Sequence, residues 1–193
     1  MTATPHSSGH ALILGGQRSG KSRCAELRAA AWLAQPGHTA LLLATALPGD
    51  DEMRLRIARH RRDRAEQLPQ LGLVEVPRQL AQAVHDHSGA RCLLVIDCLT
   101  MWLANLLMPL QGAALDESVW AARRAALCEA LFEAPGPVLL VSNEIGLGVA
   151  PLTPEARRYV DELGRLHQVI AALCANVTLM VAGIEVPVKR SAA

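Results

Sequence analysis

The sequence contains few aromatic residues and almost no net charge. It has one Phe, one Tyr and three Trp among 193 residues, too few for the surfaces on which proteins stack the bases of single-stranded nucleic acids. Its 19 basic and 18 acidic residues leave a net charge of +1 with neutral histidines. A chain with this balance has no overall electrostatic attraction to nucleic acids or anionic membranes. Both are therefore excluded as expected partners.

Long apolar segments and paired cysteine motifs are also missing. No apolar run approaches the ~20 residues of a membrane-spanning helix, and residues 1–10 carry neither the basic nor the apolar part of a secretion signal. The number of cysteines is odd and no two have C-x-x-C spacing, which argues against zinc or redox sites. These absences predict a soluble, cytoplasmic protein with five cysteines that serve as small apolar residues: Cys24, Cys92, Cys98, Cys128 and Cys174.

What the sequence does contain is an alternation of short apolar segments and longer helical segments. We predict one domain over residues 1–193, with residues 1–10, including His6 and His10, flexible. Several apolar segments are continuous, as in strands of a parallel sheet that helices cover on both faces. The strands are predicted at residues 11–14, 40–44, 73–76, 92–96, 138–141 and 177–181, and the helices at 21–33, 51–64, 79–87, 116–132 and 154–174.

This alternation is typical of an open, doubly wound α/β sheet with right-handed crossovers. The last segment, residues 183–189, contains Pro187. Because proline has no N–H to donate to a neighbouring strand, any strand there is expected to lie at an edge of the sheet.

A phosphate-binding motif lies between the first predicted strand and the first predicted helix. Lys21 is expected to reach the β and γ phosphates of a nucleotide, and Ser22 to ligate Mg²⁺. The glycines allow backbone N–H groups to surround phosphate oxygens, and the helix N-terminus adds partial positive charge. The residues that match G-x-x-x-x-G-K-S are Gly15, Gly16, Gln17, Arg18, Ser19, Gly20, Lys21 and Ser22.

A second nucleotide-binding element is predicted at Asp97. It follows the apolar residues 93–96, in the form of a Walker B strand whose carboxylate holds the metal through water. By itself this pattern is common, since many buried strands end in an aspartate at a turn. No N-K-x-D motif for reading guanine is present, which argues against a Ras-type switch.

The most unusual segment is an arginine-rich helix predicted at residues 51–64. Met53, Ile57, His60 and Arg64 fall on one face of it, the face expected to contact the rest of the protein. Six arginines between positions 54 and 64 would lower the pKa of His60 and keep it neutral and nucleophilic, and they would also gather around a triphosphate. The alternative is a solvated basic helix with a core-facing histidine.

Together these motifs resemble the bifunctional adenosylcobinamide kinase / adenosylcobinamide-phosphate guanylyltransferase family of cobalamin biosynthesis. The resemblance covers nearly the whole chain. Besides the phosphate-binding motif, it depends on Ala44-Thr45-Ala46, Asp51-Glu52-Met53…Arg56-Ile57…His60, Asp97-Cys98-Leu99-Thr100…Trp102-Leu103…Asn105-Leu106-Leu107, Ser142-Asn143-Glu144-Ile145-Gly146-Leu147-Gly148…Pro151 and Gly164-Arg165…Gln168.

The resemblance implies a RecA-like P-loop fold with a mostly parallel sheet and an antiparallel edge strand. It also implies a homotrimer in which the histidine helix lies near a subunit boundary. His60 matches the histidine that takes GMP from GTP. By the same matching, the expected nucleotide contacts are residues 15–22 together with Ala44, Thr45, Ala46, Arg61, Arg62, Asp63, Arg64, Glu75 and Asp97.

Two departures from the family pattern affect these expectations. His167 stands where an asparagine is usual in G-R-x-N-Q, and residues 65–72 are atypical, which makes the assignment of Glu75 the least secure. Glu144 follows a predicted strand, where it either deprotonates the attacking hydroxyl or braces its loop by a hydrogen bond.

The reaction implied by the resemblance has two parts. In the first, ATP or GTP phosphorylates the aminopropanol hydroxyl of adenosylcobinamide, with Lys21 and Mg²⁺ neutralising the charge. In the second, His60 takes GMP from GTP, and adenosylcobinamide phosphate then displaces it to give adenosylcobinamide-GDP.

Two alternatives to this function remain open. A P-loop kinase of another small molecule would leave the histidine helix without a role. A non-enzymatic RecA-type assembly protein would need longer interaction loops than 193 residues allow.

Overall fold

The structure, a computed structural model, describes residues 9–190, and positions 1–8 and 191–193 lie outside the described residues, His6 among them. Strands and helices alternate along the chain, as the sequence predicts. The elements are β1 (Ala11–Gly15), α1 (Lys21–Leu33), β2 (Thr39–Ala44), α2 (Asp51–Gln67), β3 (Leu71–Glu75), α3 (Leu80–His87), β4 (Cys92–Asp97), α4 (Leu99–Leu107), α5 (Glu117–Glu133), β5 (Val138–Asn143), α6 (Pro154–Leu173), β6 (Asn176–Val181) and β7 (Ile184–Lys189).

The strands form one seven-stranded sheet in the order β3-β2-β4-β5-β1-β6-β7. The first six strands in that order run parallel, and β7 pairs antiparallel with β6 at the edge. Pro187 lies in this edge strand, opposite Thr178. The predicted α/β fold with a mostly parallel sheet and an antiparallel edge is confirmed.

Helices cover both faces of the sheet and produce two apolar cores. On one face, α3 to α6 bury a large cluster that includes Trp102, Trp120 and Leu103. On the other face, α1 packs against the sheet through Cys24, Ala25 and Ala29. Because both faces are buried, the central strands carry apolar residues without alternation. Among residues 9–190, no helix has the length and apolar character needed to cross a membrane.

The strand register aligns the residues that end the central strands. Ala44 pairs with Glu75 on one side and with Asp97 on the other. Further along the sheet, Gly15 is paired with Asn143. Carboxyl ends of parallel strands meet at one edge of a sheet, which is where open α/β folds bind ligands. The fold therefore brings the phosphate-binding loop, Asp97 and Glu75 to the same edge.

Helix α4 is absent from the sequence prediction. It begins after Cys98, whose Sγ accepts a hydrogen bond from the Met101 N–H at 3.5 Å, and seven of its nine residues are buried. A helix that is apolar on nearly all sides lacks the period that distinguishes a surface helix from a strand or a loop. Its burial between the sheet and α6 is decided by the tertiary structure.

Strand β3 begins two residues earlier than predicted and ends one residue earlier. The difference arises at Gly72, a residue type that weakens isolated strands. A Cβ atom at Gly72 would lie 2.8 Å from Leu41 Cδ1. A larger residue at this position would therefore have to displace the end of the Leu41 side chain.

The expectation that His10 belongs to a flexible tail is wrong. Its side chain is 1% exposed, its Nε2 hydrogen-bonds the Leu131 carbonyl at 2.7 Å, and its Nδ1 accepts from the Val138 N–H at 3.0 Å. The His10 carbonyl also accepts from the Ala175 N–H at 3.0 Å. A histidine bonded through both ring nitrogens has a structural role that composition does not reveal.

Candidate active site

Two glycines give the phosphate-binding loop its shape. At Gly15, φ is 153°, and a Cβ atom would lie 2.6 Å from both the Met180 carbonyl oxygen and Ser19 Oγ. At Gly20, φ is 99°, a conformation that favours glycine. The loop then enters α1 at Lys21. The chain thus turns sharply from β1 into a helix N-terminus, the geometry that phosphate groups bind.

Lys21 lies within this loop rather than in solvent. Its side chain is buried, and Nζ donates to the Gly16 carbonyl at 2.7 Å. Burial lowers the pKa of Lys21, and the charges of Cys98 and Asp97 oppose that shift. The Ser19 hydroxyl is buried and has no hydrogen-bond partner within residues 9–190. Since a buried hydroxyl without a partner is costly, a phosphate oxygen would satisfy a group that the protein leaves open.

Ser22 and Asp97 line the same small cavity, together with Glu26 and Arg64. No group of three or more His, Cys, Asp or Glu side chains within residues 9–190 forms a complete metal cage. Mg²⁺ does not need one, because it commonly binds one or two protein oxygens, water and substrate phosphates. A serine hydroxyl beside a carboxylate at a phosphate-binding loop fits this ion.

Helix α2 contacts the protein body through one face only. None of its residues is fully buried, and its partly buried residues are Met53, Ile57, His60 and Arg64. The predicted face is confirmed residue by residue. Asp50 begins the helix by accepting a hydrogen bond from the Met53 N–H at 2.7 Å, so the entry to the helix is encoded locally.

The surroundings of His60 favour its neutral form. Burial lowers its pKa, Asp97 partly opposes the shift, and Arg64, Arg56 and Arg59 lower the pKa further. Asp97 and Arg56 also act on the charge of Lys21. The same two side chains therefore lie within electrostatic reach of both His60 and Lys21.

Two of the predicted nucleotide-contacting arginines are paired with acids. Arg61 forms an ion pair with Glu75 at the end of β3, and Arg64 Nη1 lies 3.9 Å from Glu26 on α1. These pairs attach α2 to both sides of the site. The neighbouring predicted residues Arg62 and Asp63 are exposed.

The segment after β2 is held by side-chain hydrogen bonds. Thr45 is fully buried; its hydroxyl donates to the Cys98 carbonyl at 2.7 Å and accepts from the Cys98 N–H at 2.8 Å. Asn105 Nδ2 donates to the Thr45 carbonyl at 2.7 Å. Ala44 and Ala46, which flank Thr45, are half-buried. The Thr45 hydroxyl is therefore engaged in joining β2 to β4.

Comparison with known proteins identifies the family of the chain. The CobU family model, described as cobinamide kinase / cobinamide phosphate guanyltransferase, matches residues 11–188. The chain belongs to this family. It is 50% identical over 179 residues to the bifunctional adenosylcobalamin biosynthesis protein CobP of Pseudomonas aeruginosa, covering 92% of this chain and 96% of that protein. It is 34% identical over 187 residues to CobU of Escherichia coli K12, covering 92% and 98%.

Solved structures share the fold of this CobU family member at low sequence identity. The flagellar accessory protein FlaH of Methanocaldococcus jannaschii aligns with a TM-score of 0.52 and 12% identity, covering 97% of this chain and 80% of that chain. A protein of Pyrococcus horikoshii OT3 aligns with a TM-score of 0.56 and 7% identity, covering 96% and 89%. Together with the sheet order, these similarities identify the RecA-like P-loop fold.

Sequence reasoning missed one charged residue of the site, Glu26, and named Arg56 only as part of the arginine-rich segment and the family pattern. Glu26 follows Ser22 by four positions on α1, and Arg56 precedes His60 by four on α2. Residues four apart share a helix face, so helical spacing from the recognised residues would have found both.

Proposed function

We propose that the protein is a bifunctional cobinamide kinase and guanylyltransferase. It phosphorylates the aminopropanol hydroxyl of adenosylcobinamide with ATP or GTP and then transfers GMP from GTP, through His60, to give adenosylcobinamide-GDP and pyrophosphate. The observation that carries this proposal is the position of His60. Its environment favours the neutral imidazole, and it shares Asp97 and Arg56 with the phosphate-binding lysine.

In the kinase step, the phosphate-binding loop supplies the charge. Lys21 binds the β and γ phosphates, exchanging its contact with the Gly16 carbonyl for phosphate oxygens. Ser22 and Asp97 would hold Mg²⁺, which draws negative charge from the phosphate oxygens when it is bound. The neutral Ser19 hydroxyl donates to a phosphate oxygen. Together these groups stabilise charge as the terminal phosphoryl group moves to the alcohol.

In the guanylyltransferase step, His60 acts as a nucleophile. The lone pair of its neutral ring attacks the α phosphorus of GTP, the bond to the β-phosphate oxygen breaks, and pyrophosphate leaves. An oxygen of adenosylcobinamide phosphate then attacks the same phosphorus and releases the imidazole. Arg61 and Arg64 exchange their carboxylate partners for the triphosphate, where they neutralise charge at the reacting phosphorus.

The proposal includes a trimeric, cytoplasmic enzyme. Leu55 is 72% exposed and lies on α2, so a neighbouring subunit at this helix would bury an apolar side chain that the monomer leaves in water. Light scattering of the purified protein tests this part by measuring whether its mass is three times 20.6 kDa. A monomeric mass would contradict it.

The decisive experiment uses GTP labelled at the α or the γ phosphorus. Wild type is expected to form an acid-labile, base-stable protein adduct from the α label only, and His60→Ala to form none. His87→Ala is a matched control, because His87 is an exposed histidine at the end of α3, and it should be labelled as wild type is. An unlabelled wild type, or a labelled His60→Ala, would refute guanylyl transfer through this residue.

A further inference from the structure

A chain of buried polar side chains lies at the carboxyl end of β5. Thr100, Ser142 and His167 are 7%, 0% and 6% exposed. Thr100 Oγ1 lies 3.0 Å from Ser142 Oγ, and Ser142 Oγ lies 2.8 Å from His167 Nε2. Burying polar groups costs free energy unless they are bonded to one another. These three side chains are joined from α4 through β5 to α6.

The donors and acceptors in this chain are consistent with one direction of hydrogen bonding. The Asn143 N–H donates to Thr100 Oγ1 at 2.7 Å, and the Thr100 hydroxyl can in turn donate its proton to Ser142. The Ser142 proton then donates to His167 Nε2. A neutral imidazole that accepts at Nε2 carries its proton on Nδ1, and burial lowers the pKa of His167 and so favours that neutral form. With this direction of hydrogen bonding, the His167 ring carries an N–H group at Nδ1.

The Nδ1–H group faces Glu144. Glu144 Oε2 lies 3.6 Å from His167 Nδ1, and Oε1 accepts a hydrogen bond from the Gly146 N–H at 2.7 Å. The opposite direction of hydrogen bonding would turn the Nδ1 lone pair toward the carboxylate, which is repulsive. The carboxylate thus accepts a hydrogen bond from the Gly146 N–H and faces His167 Nδ1, and its side chain keeps 24% of its surface in solvent.

Glu144 is also attached to the phosphate-binding loop. Its N–H donates to the Gly15 carbonyl at 3.0 Å, and the preceding residue, Asn143, is paired with Gly15 in the sheet. Gly15 is the first residue of the loop that ends in Lys21. The carboxylate therefore lies at the edge where the terminal phosphate of a nucleotide would meet its acceptor.

We propose that Glu144 is the general base of the kinase step and that His167 positions it. This inference rests on the proposed kinase activity. The acceptor hydroxyl gives its proton to Glu144 as its oxygen bonds to the γ phosphorus, and the bond from that phosphorus to the β-phosphate oxygen breaks. The nucleoside diphosphate leaves with that electron pair, and the protonated Glu144 returns its proton to solvent after the products dissociate.

The other carboxylates at this edge are paired with arginines or assigned to the metal. Glu75 is paired with an arginine of α2, and Glu26 faces Arg64. Asp97 is the predicted metal-binding carboxylate. Within residues 9–190, the Glu144 carboxylate accepts from the Gly146 N–H and faces His167, and it has no arginine or lysine partner.

The first test is Glu144→Gln, which keeps the size and the Gly146 hydrogen bond of the side chain but cannot accept a proton. The kinase kcat is expected to fall by about 10²-fold, within the range for general bases, with the KM for the nucleotide nearly unchanged. Labelling of His60 by α-labelled GTP should remain, since that step needs no proton from the acceptor hydroxyl. Glu144→Ala with added formate provides a second measurement, because a small carboxylate should restore part of its kinase rate.

The outcomes separate this inference from the proposed function. A wild type that does not phosphorylate cobinamide overturns both. An active wild type together with a Glu144→Gln variant of unchanged kcat, or a Glu144→Ala variant that formate does not restore, overturns Glu144 as the base and leaves the kinase intact.

The second test concerns His167 as a positioning residue. His167→Leu removes the Nδ1–H group, and its kinase kcat is expected to fall by about 10- to 100-fold, the cost of a misplaced catalytic group. His167→Asn, which keeps a donor, should retain more of the kinase rate, and His60 labelling should remain in both variants. His10→Leu is the matched control for losing a buried, hydrogen-bonded histidine. If His167→Leu lowers kinase activity and His60 labelling equally, or His167→Asn is no better than His167→Leu, the positioning role is refuted.

Discussion

The two buried histidines, His10 and His167, lie at opposite ends of β5 and are used differently. Both are nearly inaccessible to solvent, and burial lowers the pKa of both. His10 hydrogen-bonds the main chain at Leu131 and Val138, so both of its ring nitrogens are used within the fold. His167 bonds Ser142 and faces Glu144, a carboxylate that reaches solvent. The same residue type is thus bonded within the fold at the amino end of the sheet and lies beside the proposed general base at the carboxyl end.

This difference has a topological cause. In a parallel sheet the loops after the strands all emerge at the carboxyl edge, and the helix N-termini point toward it. At that edge the protein collects Lys21, Asp97 and Glu144, and α2 adds His60. At the amino edge, the described histidine His10 is bonded within the fold. The comparison predicts that substitutions at the carboxyl edge affect catalysis and that those at the amino edge affect stability.

The largest effect is expected from Lys21→Ala. Removing a buried ammonium that contacts the phosphate-binding loop should lower the kinase kcat by about 10²- to 10³-fold, the cost of losing one preorganised charge donor. A steady-state assay of cobinamide phosphorylation measures it. Lys189→Ala is the matched control, because the other lysine of the chain donates to the Ala171 carbonyl far from the loop. Normal turnover by Lys21→Ala would remove the phosphate-binding loop from the mechanism.

A moderate effect, on stability rather than on catalysis, is expected from His10→Leu. The Val138 N–H and the Leu131 carbonyl lose their partner, so the free energy of unfolding should fall by about 1–3 kcal/mol. Both catalytic activities, measured below the unfolding temperature, should stay at the wild-type level. Denaturant unfolding and the two activity assays check this prediction. Loss of activity without loss of stability would break the distinction between the two edges.

The stability contribution of His10 should also depend on pH in a defined direction. Because burial lowers the pKa of His10 below its ordinary value of 6.5, the unfolded chain binds the proton more tightly. The contribution is therefore complete above pH 6.5 and is lost as the pH falls from 6.5 through the lower folded pKa. The difference in unfolding free energy between wild type and His10→Leu should shrink over that acidic range.

The smallest effect is expected in the pH dependence of His60 labelling. Only the neutral imidazole reacts, so the labelling rate should rise with pH and level off, with a midpoint below the ordinary value of 6.5. Arg59→Gln removes a positive charge that lowers the pKa of His60, and the midpoint should move up. The movement should be limited, because burial is the main cause of the lowered pKa. A midpoint that moves down in Arg59→Gln would contradict this account.

Local patterns in the sequence were sufficient for most of the fold. The phosphate-binding motif predicts the turn from β1 into α1, and the Met53–Ile57–His60–Arg64 spacing predicts the inward face of α2. Sequence patterns did not predict elements in which the local preference of the residues disagrees with their burial in the fold. Helix α4 is too uniformly apolar to show a period, and the start of β3 contains Gly72, a residue type that is rare within strands and that here lies close to Leu41 of β2.

The candidate site could be predicted only in part, for a similar reason. His60, Lys21 and Asp97 stand in motifs of fixed spacing. The chain from Thr100 through Ser142 to His167 joins residues on α4, β5 and α6, and sequence separation gives no sign of their contact. The predicted roles of the exposed Arg62 and Asp63 stay predictions.

Residues within a few positions of one another were enough to predict most of the order of strands and helices, the phosphate-binding turn and the face of α2 that carries the histidine. Only the tertiary structure shows which side chains contact one another at the carboxyl edge and that His10 is buried at the amino edge. Those contacts depend on strand order and register, which bring distant segments within hydrogen-bonding distance and remove them from water.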